Sequence, residues 1–506
     1  MPIQGYYERI GVEKMIKLHF DGKECTGTKG QTILEVAVAN GIETIPTLCW
    51  LEGLLPEGAC RMCVVEVEGS PKMLTACTSP AEDGMRILTQ TDKLKEYRKQ
   101  ILELLFAGRN HFCMYCSASG DCELQTLAIE HGMDSVRYPY LFPVIENDTT
   151  SGDFMVDRNR CVLCNRCIRT CKEIVGACSL GLEKRGWAAN IISDLGEKFG
   201  ESSTCVSCGA CAQACPTGTI TVREHAYRGR RKDCDKLVET VCPLCVMGCK
   251  LKVYARKNSL VRIEGVTSSN SNHGGQLCRR GRIELLRASE QPRITSPLIR
   301  TGADFREASW DEALDLITDK IKQADKSKSG AVASLMTPID ELKCFVGFFS
   351  ALGIKTDSRE GDVPPEARYV KESKERSADE SIHDREKEVA KMCSLLCANS
   401  WLGVGNEPSE QKPVGKGMSS LDFFFFRTPG LEAPCKDVLD ALDHSKFSVV
   451  QTPYVSHPMA YLADVLLPSA AWFELAGVCE PAVSTKEMCE VFQSLAERLS
   501  ITIKEV

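Results

Sequence analysis

Long apolar runs, an excess of basic charge and a nucleotide-binding glycine loop are all missing from this 506-residue chain, and each absence removes a class of function. No stretch approaches the roughly 18 consecutive apolar residues that a membrane-spanning helix needs. The opening MPIQGYYERIGVEKM has neither an apolar h-region nor a small-residue cleavage site, so the expected location is the cytoplasm and no membrane is expected as a partner. Lys and Arg number 62 against 69 Asp and Glu, for a net charge of -7 and a pI near 5.8. With no cationic surplus to meet phosphates, nucleic acid is not an expected partner. No strand-like segment is followed by G-x-G-x-x-G, and Gly403-Val404-Gly405-Asn406 lacks the third glycine, so no dinucleotide site is expected in this chain. Cysteine is scarce in one part only: residues 279–506 hold six.

Elsewhere cysteine is abundant. Most of the 28 fall between Cys49 and Cys278, in arrays with two-residue gaps. A chain of this length can bury several ordinary cores without disulfide staples, whereas cysteines so spaced suit a metal or a cluster. Alternating apolar residues around Asp21-Gly22 predict a hairpin, followed by a helix-like segment at 31–40. Leu94, Tyr97, Ile101, Leu104 and Leu105 predict a helix over 92–107. After about residue 300 the pattern is that of an α/β chain, with a helix at 309–324 and strands at 331–336, 421–426 and 447–451. The charge-dense stretch 356–391 reads as a solvated loop or exposed helix.

The first array is Cys49-x10-Cys60-x2-Cys63-x13-Cys77, with Gly53 and Gly58 to let the backbone wrap closely. Four thiolates suit a 2Fe–2S cluster, and structural zinc is the alternative. The spacing resembles the N-terminal module of complex I's large iron–sulphur subunit and of iron-only hydrogenases. The second array, His111-x-Cys113-x2-Cys116-x5-Cys122, is one thiolate short of a 4Fe–4S site. His111 is the candidate fourth ligand, against the more ordinary role of a lone structural histidine. The gap between His111 and Cys113 is shorter than is usual in those families and resembles NAD-linked hydrogenase and formate dehydrogenase subunits.

The third unit pairs Cys161-x2-Cys164-x2-Cys167-x3-Cys171 with Cys205-x2-Cys208-x2-Cys211-x3-Cys215-Pro216. In this bacterial two-cluster ferredoxin pattern the last cysteine of each run ligates the other cluster. One 4Fe–4S cluster is thus expected on Cys161, Cys164, Cys167 and Cys215, and a second on Cys205, Cys208, Cys211 and Cys171. The fourth array, Cys242-x2-Cys245-x3-Cys249-x28-Cys278 with Arg279-Arg280-Gly281-Arg282 after it, resembles the 4Fe–4S domain of molybdopterin oxidoreductases. Nine cysteines remain, and Cys393-x3-Cys397 among them reads as two small core residues on a helix.

Ala463-Asp464-Val465-Leu466-Leu467-Pro468 resembles a strand and turn of the same molybdopterin enzymes. The resemblance places a metal-ligating cysteine or selenocysteine near Gly353–Arg359, where there is none, and a lysine where this chain has Arg280. Only residues 283–506 follow Arg282, too few to enclose two pterin nucleotides. The expectation is therefore a truncated remnant with no catalytic residue and no molybdopterin.

Together these resemblances imply a multidomain α+β chain. It would comprise a β-grasp 2Fe–2S ferredoxin domain (15–92), a His/Cys 4Fe–4S helical segment (93–140) and a two-cluster ferredoxin domain (141–230). A molybdopterin-oxidoreductase-type 4Fe–4S domain (231–298) and a truncated α/β remnant (299–506) would follow. They imply an electron-transfer subunit of an NAD(P)H- and ferredoxin-linked complex of the electron-bifurcating kind. Flavin and NAD(P) would lie on flavoprotein partners, within a hetero-oligomer. The alternative is a formate dehydrogenase α subunit that still binds a molybdenum or tungsten pterin.

Overall fold

The computed structural model describes residues 15–244, 249–266, 277–334, 337, 339–359, 421–428, 436–479 and 488–503. They fall into two compact units, the described residues up to Asp233 and those from Cys234 on. Among the described residues no helix is long and apolar enough to cross a membrane.

In the first unit, strands β1 (Met15–Phe20) and β2 (Lys23–Thr28) pair antiparallel across Asp21-Gly22, at φ 48° and 87°. Both turn residues are left-handed, which Asp and Gly accept more readily than other residues, so the expected hairpin forms where the sequence places it. β3 (Val64–Val67), β4 (Leu74–Thr75) and β5 (Arg86–Leu88) complete a sheet of order β2-β1-β5-β3-β4, with β1 and β5 parallel. Ile16, Leu18 and Phe20 alternate inward and meet Ile33, Val36 and Ala37 of helix α1 (Ile33–Ala39). Thr32 Oγ1 accepts from the Glu35 N–H at 3.2 Å while the Glu35 carboxylate accepts from the Thr32 N–H at 2.7 Å, a capping box that starts the helix.

Helix α2 spans Asp92–Ala107, the range predicted from its periodicity. On its inner face Arg98 is fully buried and donates to the carbonyls of Thr89 (2.9 Å) and Val64 (3.0 Å), tying the helix to the sheet. Leu102 of α2 shares a core with Leu48 and Met62 of the preceding module and with Leu124 and Leu127 of helix α3 (Glu123–Glu130). Further on, β6 (Phe154–Val156) pairs with β9 (Ile220–Val222), and β7 (Leu180–Glu183) with β8 (Asn190–Ser193). Between them pack the short helices α4 (Arg166–Arg169) and α5 (Ala210–Ala214).

The second unit opens on an antiparallel sheet of β10 (Lys236–Val241), β11 (Lys250–Arg256) and β12 (Ser259–Gly265), against which a π turn and helix α6 (Leu285–Ala288) pack. A larger sheet follows, built from β13 (Leu298–Thr301), β14 (Asp304–Glu307), β15 (Ser329–Ser334), β16 (Lys355–Arg359), β17 (Phe423–Arg427), β18 (Ser448–Gln451) and β19 (Val465–Leu467). Its order is β14-β13-β19-β18-β17-β15-β16, with β19 through β16 parallel and β13 antiparallel to both neighbours. The predicted helix and strands after residue 300 appear within one or two residues of their expected ends, and the charged stretch lies outside the described residues from 360 on.

Helices α7 (Trp310–Gln323), α8 (Ile339–Ala351) and α10 (Met488–Leu499) contribute to one core of this sheet and α9 (Lys436–Asp443) to the other. The run of four phenylalanines in β17 follows from that layering: Phe423 and Phe425 enter the first core, Phe424 and Phe426 the second. Phe492 of α10 lies with its ring centroid 4.8 to 5.9 Å from those of Phe345, Phe348, Phe349 and Phe425. Phe492→Ala is expected to destabilise the second unit by about 3–5 kcal/mol, because the rings around it cannot collapse into the space. The midpoint of its denaturant unfolding measures this, and an unchanged midpoint would show that the ring cluster is not the core.

Candidate iron–sulphur cluster sites

The loops leaving the first sheet bring Cys49, Cys60, Cys63 and Cys77 together. The Cys63 and Cys77 sulphurs are 3.4 Å apart, and Cys49 shares hydrogen bonds with Cys60 and Cys77. Four thiols so crowded cannot all be anionic at once without a cation among them. Hydrogen bonds from its neighbours pull Cys49 down to about 2, and one from Cys77 pulls Cys63 down to about 7, while Cys60 and Cys77 are pushed up. Gly53 and Gly58 take φ of 84° and 69°, left-handed turns that wrap this loop. Arg169, mostly buried, donates to the Cys49 carbonyl and, at 3.3 Å, to that of Cys164.

Between α2 and α3, His111, Cys113, Cys116 and Cys122 line one cavity. His111 Nε2 is buried with no hydrogen-bond partner among the described residues. Burial first, and the Arg160 charge second, push the imidazole down to about 4, so it is neutral and keeps a lone pair. Burial also pushes the Cys122 thiol up to about 12 and raises that of Cys116. An orphaned ring nitrogen beside three cysteines in one cavity is a donor set that fits a 4Fe–4S cluster. Gly218, far away in sequence, forms part of the wall, and a β-carbon there would overlap Cys116 Sγ.

The paired runs form two adjoining thiol sets. Cys215 lies close enough to Cys161, Cys164 and Cys167 to act on each electrostatically, and Cys171 does the same to Cys205 and Cys211, with Cys208 beside Cys211. Burial raises Cys161 to about 11 and Cys164 to about 12. The two loops share a backbone device. Leu163 and Ser207 sit at φ 54° and 51°, Asn165 and Gly209 at 55° and 74°, at matching positions in each run. Left-handed residues alternating with the cysteine between them turn backbone N–H groups toward one centre, a concavity suited to anionic sulphur, and the Leu163 N–H donates to Cys161 Sγ at 3.4 Å.

In the second unit the Cys242 N–H donates to the Cys249 carbonyl at 2.8 Å. A β-carbon on Gly281 would stand 3.4 Å from Cys242 Sγ and 4.0 Å from Cys278 Sγ, so both sulphurs border the same spot. Cys245 lies outside the described residues, as do Cys393, Cys397, Cys435 and Gly403–Asn406. Arg280 pairs with Glu284 at 3.5 Å.

No three His, Cys, Asp or Glu among the described residues close on a point fit for a single metal ion; a cluster spreads its thiolates over several irons. A disulfide the sequence did not signal joins Cys344 of α8 to Cys489 of α10. Sequence reasoning also missed Arg160, Arg169 and Gly218, whose partners are distant in the chain. For Gly218 the signal was its place just beyond Cys215-Pro216.

These sites define a multidomain iron–sulphur protein with a molybdopterin-oxidoreductase-type portion, and comparison with known proteins agrees. A 2Fe–2S iron–sulphur cluster binding domain matches residues 13–92, and the NADH-ubiquinone oxidoreductase-G iron–sulphur binding region matches 98–137. The ferredoxin-like domain of NADH-quinone oxidoreductase subunit 3 matches 153–221. A molybdopterin oxidoreductase Fe4S4 domain matches 235–285, and a molybdopterin oxidoreductase model 293–400. The chain is 35% identical over 335 residues to NADPH-Fe(3+) oxidoreductase subunit alpha of Geobacter sulfurreducens, covering 64% of this chain and 37% of that one. It is 27% identical over 357 residues to the NADH-ubiquinone oxidoreductase 75 kDa subunit of Reclinomonas americana, covering 69% and 50%. An NAD+-reducing [NiFe]-hydrogenase in the H2-reduced state aligns over 43% of this chain and 91% of the matched chain, at 33% identity and a TM-score of 0.40. The chain is thus similar to the large iron–sulphur subunit of complex I, and its matched part spans half or less of the length of these curated relatives.

Proposed function

We propose that this chain is an electron-transfer subunit of an NAD(P)H-linked oxidoreductase complex. It holds a 2Fe–2S cluster on Cys49, Cys60, Cys63 and Cys77 and 4Fe–4S clusters on four further sets. These are His111, Cys113, Cys116 and Cys122; Cys161, Cys164, Cys167 and Cys215; Cys205, Cys208, Cys211 and Cys171; and Cys242, Cys245, Cys249 and Cys278. The observation that carries the reading is the pair of adjoining, largely buried thiol sets around Cys215 and Cys171. Bound clusters supply one-electron, outer-sphere transfer. The chain's own part is to bury the thiols away from water, to aim backbone N–H groups at sulphur and to offer a neutral imidazole at His111, which leaves that site one negative charge short of the others. The domain divisions follow the arrays: 15–92, 93–140, 141–230, 231–298 and 299–506. Flavoprotein subunits carry the flavin and meet NAD(P)H, ferredoxin exchanges electrons with the complex, bifurcation being one form of that exchange, and the assembly is cytoplasmic.

Purification with its native neighbours tests this. About 18 irons per chain are expected, with EPR signals on reduction by NAD(P)H that require the flavoprotein. Iron well below that, matched by zinc, would overturn the reading.

A second reading, a formate dehydrogenase-type subunit with a molybdenum or tungsten pterin, draws on the carboxyl ends of the parallel strands. There Arg427 Nε, Thr337 Oγ1 and both amide atoms of Gln451 are buried without partners among the described residues, at the edge where open α/β sheets take ligands. Stoichiometric Mo or W in the same metal measurement would favour it.

A further inference from the structure

Arg160 is the charged side chain that lines the His111 cavity, and it is built in rather than solvated: only 8% of it is exposed. Its Nε donates to Asp157 Oδ2 at 2.9 Å and its Nη1 to the Asn110 carbonyl at 3.2 Å, and its guanidinium carbon stands 5.8 Å from the centre of the Phe112 ring. Its backbone is held as firmly, since Thr217 Oγ1 donates to the Arg160 carbonyl at 2.8 Å, and Thr217 and Gly218 belong to the same cavity wall. Arg160 immediately precedes Cys161, and Thr217 stands two residues past Cys215. The wall of the His111 cavity is thus next in the chain to two members of the Cys161/Cys215 set, and Arg160 is the cation whose side chain lines it; the charge of buried Arg109 also reaches His111, more weakly. Nearby arginines are directed elsewhere: Arg109 to the Ala189 carbonyl, Arg166 to Glu123 at 2.7 Å and Arg158 to the Ile191 carbonyl at 2.8 Å.

A permanent positive charge beside a redox centre favours the state with the added electron, and in a water-poor wall it is weakly screened. Asp157, paired with the guanidinium at 2.9 Å, opposes it. We propose that Arg160 sets the reduction potential of the cluster held by His111, Cys113, Cys116 and Cys122, raising it, and that Asp157 tempers the rise. The inference rests on the reading of those four residues as ligands. It adds that the step between this site and its neighbour would be biased by an arginine that is not one of the four ligands.

The test is an EPR-monitored redox titration of the His111 cluster in the full chain and in three variants. Arg160→Gln should lower the reduced-to-oxidised ratio at fixed solution potential about tenfold, 59 mV for one electron. Arg160→Lys should lie near the parent. Asp157→Asn, which leaves the arginine uncompensated, should raise the ratio. A parent chain without this cluster would overturn the ligand assignment. A cluster present with an unmoved potential in Arg160→Gln, or Arg160→Gln and Asp157→Asn shifting it the same way, would overturn the role given to Arg160. If Arg160→Gln fails to load, the upward shift in Asp157→Asn decides.

Discussion

Cys215→Ser should produce the same loss as Cys161→Ser, and Cys171→Ser the same loss as Cys205→Ser. Cys215→Ser and Cys171→Ser each remove a ligand from the set whose other three members lie in the other run of the sequence. Cys215 acts on Cys161, Cys164 and Cys167, all buried, and Cys171 on Cys205 and Cys211, while the adjoining sets also feel each other through Cys215 and Cys211. Each variant should lose about four irons and one EPR signal while the other signals persist. The pattern of pairs is the measurement. If Cys215→Ser instead removed the signal lost in Cys205→Ser, each run would hold its own cluster and the crossed arrangement would be wrong.

Gly218→Ala is expected to empty the His111 site although Gly218 is no ligand. The added methyl would occupy the place of Cys116 Sγ, so the thiol must leave its position beside Cys113 and Cys122 or the wall must open. Close packing leaves the wall little freedom, since Thr217 is anchored to the Arg160 carbonyl next door. Loss of about four irons and of the His111 signal is expected, with the other clusters kept. Gly152→Ala is the control, because a β-carbon there meets nothing within 4 Å. Equal iron in both variants would show that the Cys116 sulphur does not need the space Gly218 leaves.

Much of this was legible in the residue order because the informative signals are local. A turn that needs two left-handed residues shows as Asp21-Gly22, an amphipathic helix shows as the spacing of Leu94, Ile101 and Leu105, and a parallel strand between two helix layers shows as four consecutive phenylalanines. Ligand runs with two-residue gaps are local in the same sense. The disulfide between Cys344 and Cys489 was not legible, because 145 residues separate the pair and nothing around either marks a partner. Nor was the antiparallel edge made by β13 and β14, whose pairing with β19 spans a large part of the chain.

The sequence by itself determined which atoms are on offer: the cysteine runs, His111 beside three thiols, and the lack of a dinucleotide loop, all of them properties of neighbours along the chain. Tertiary structure alone decided what surrounds them. It left His111 Nε2 without a partner among the described residues, brought Gly218 against Cys116, and walled the site with Arg160. It also let Arg169 reach the carbonyls of Cys49 and Cys164, more than a hundred residues apart. The reason is physical: ligand identity is covalent and local, whereas burial, charge and the room for a sulphur atom arise where distant segments pack.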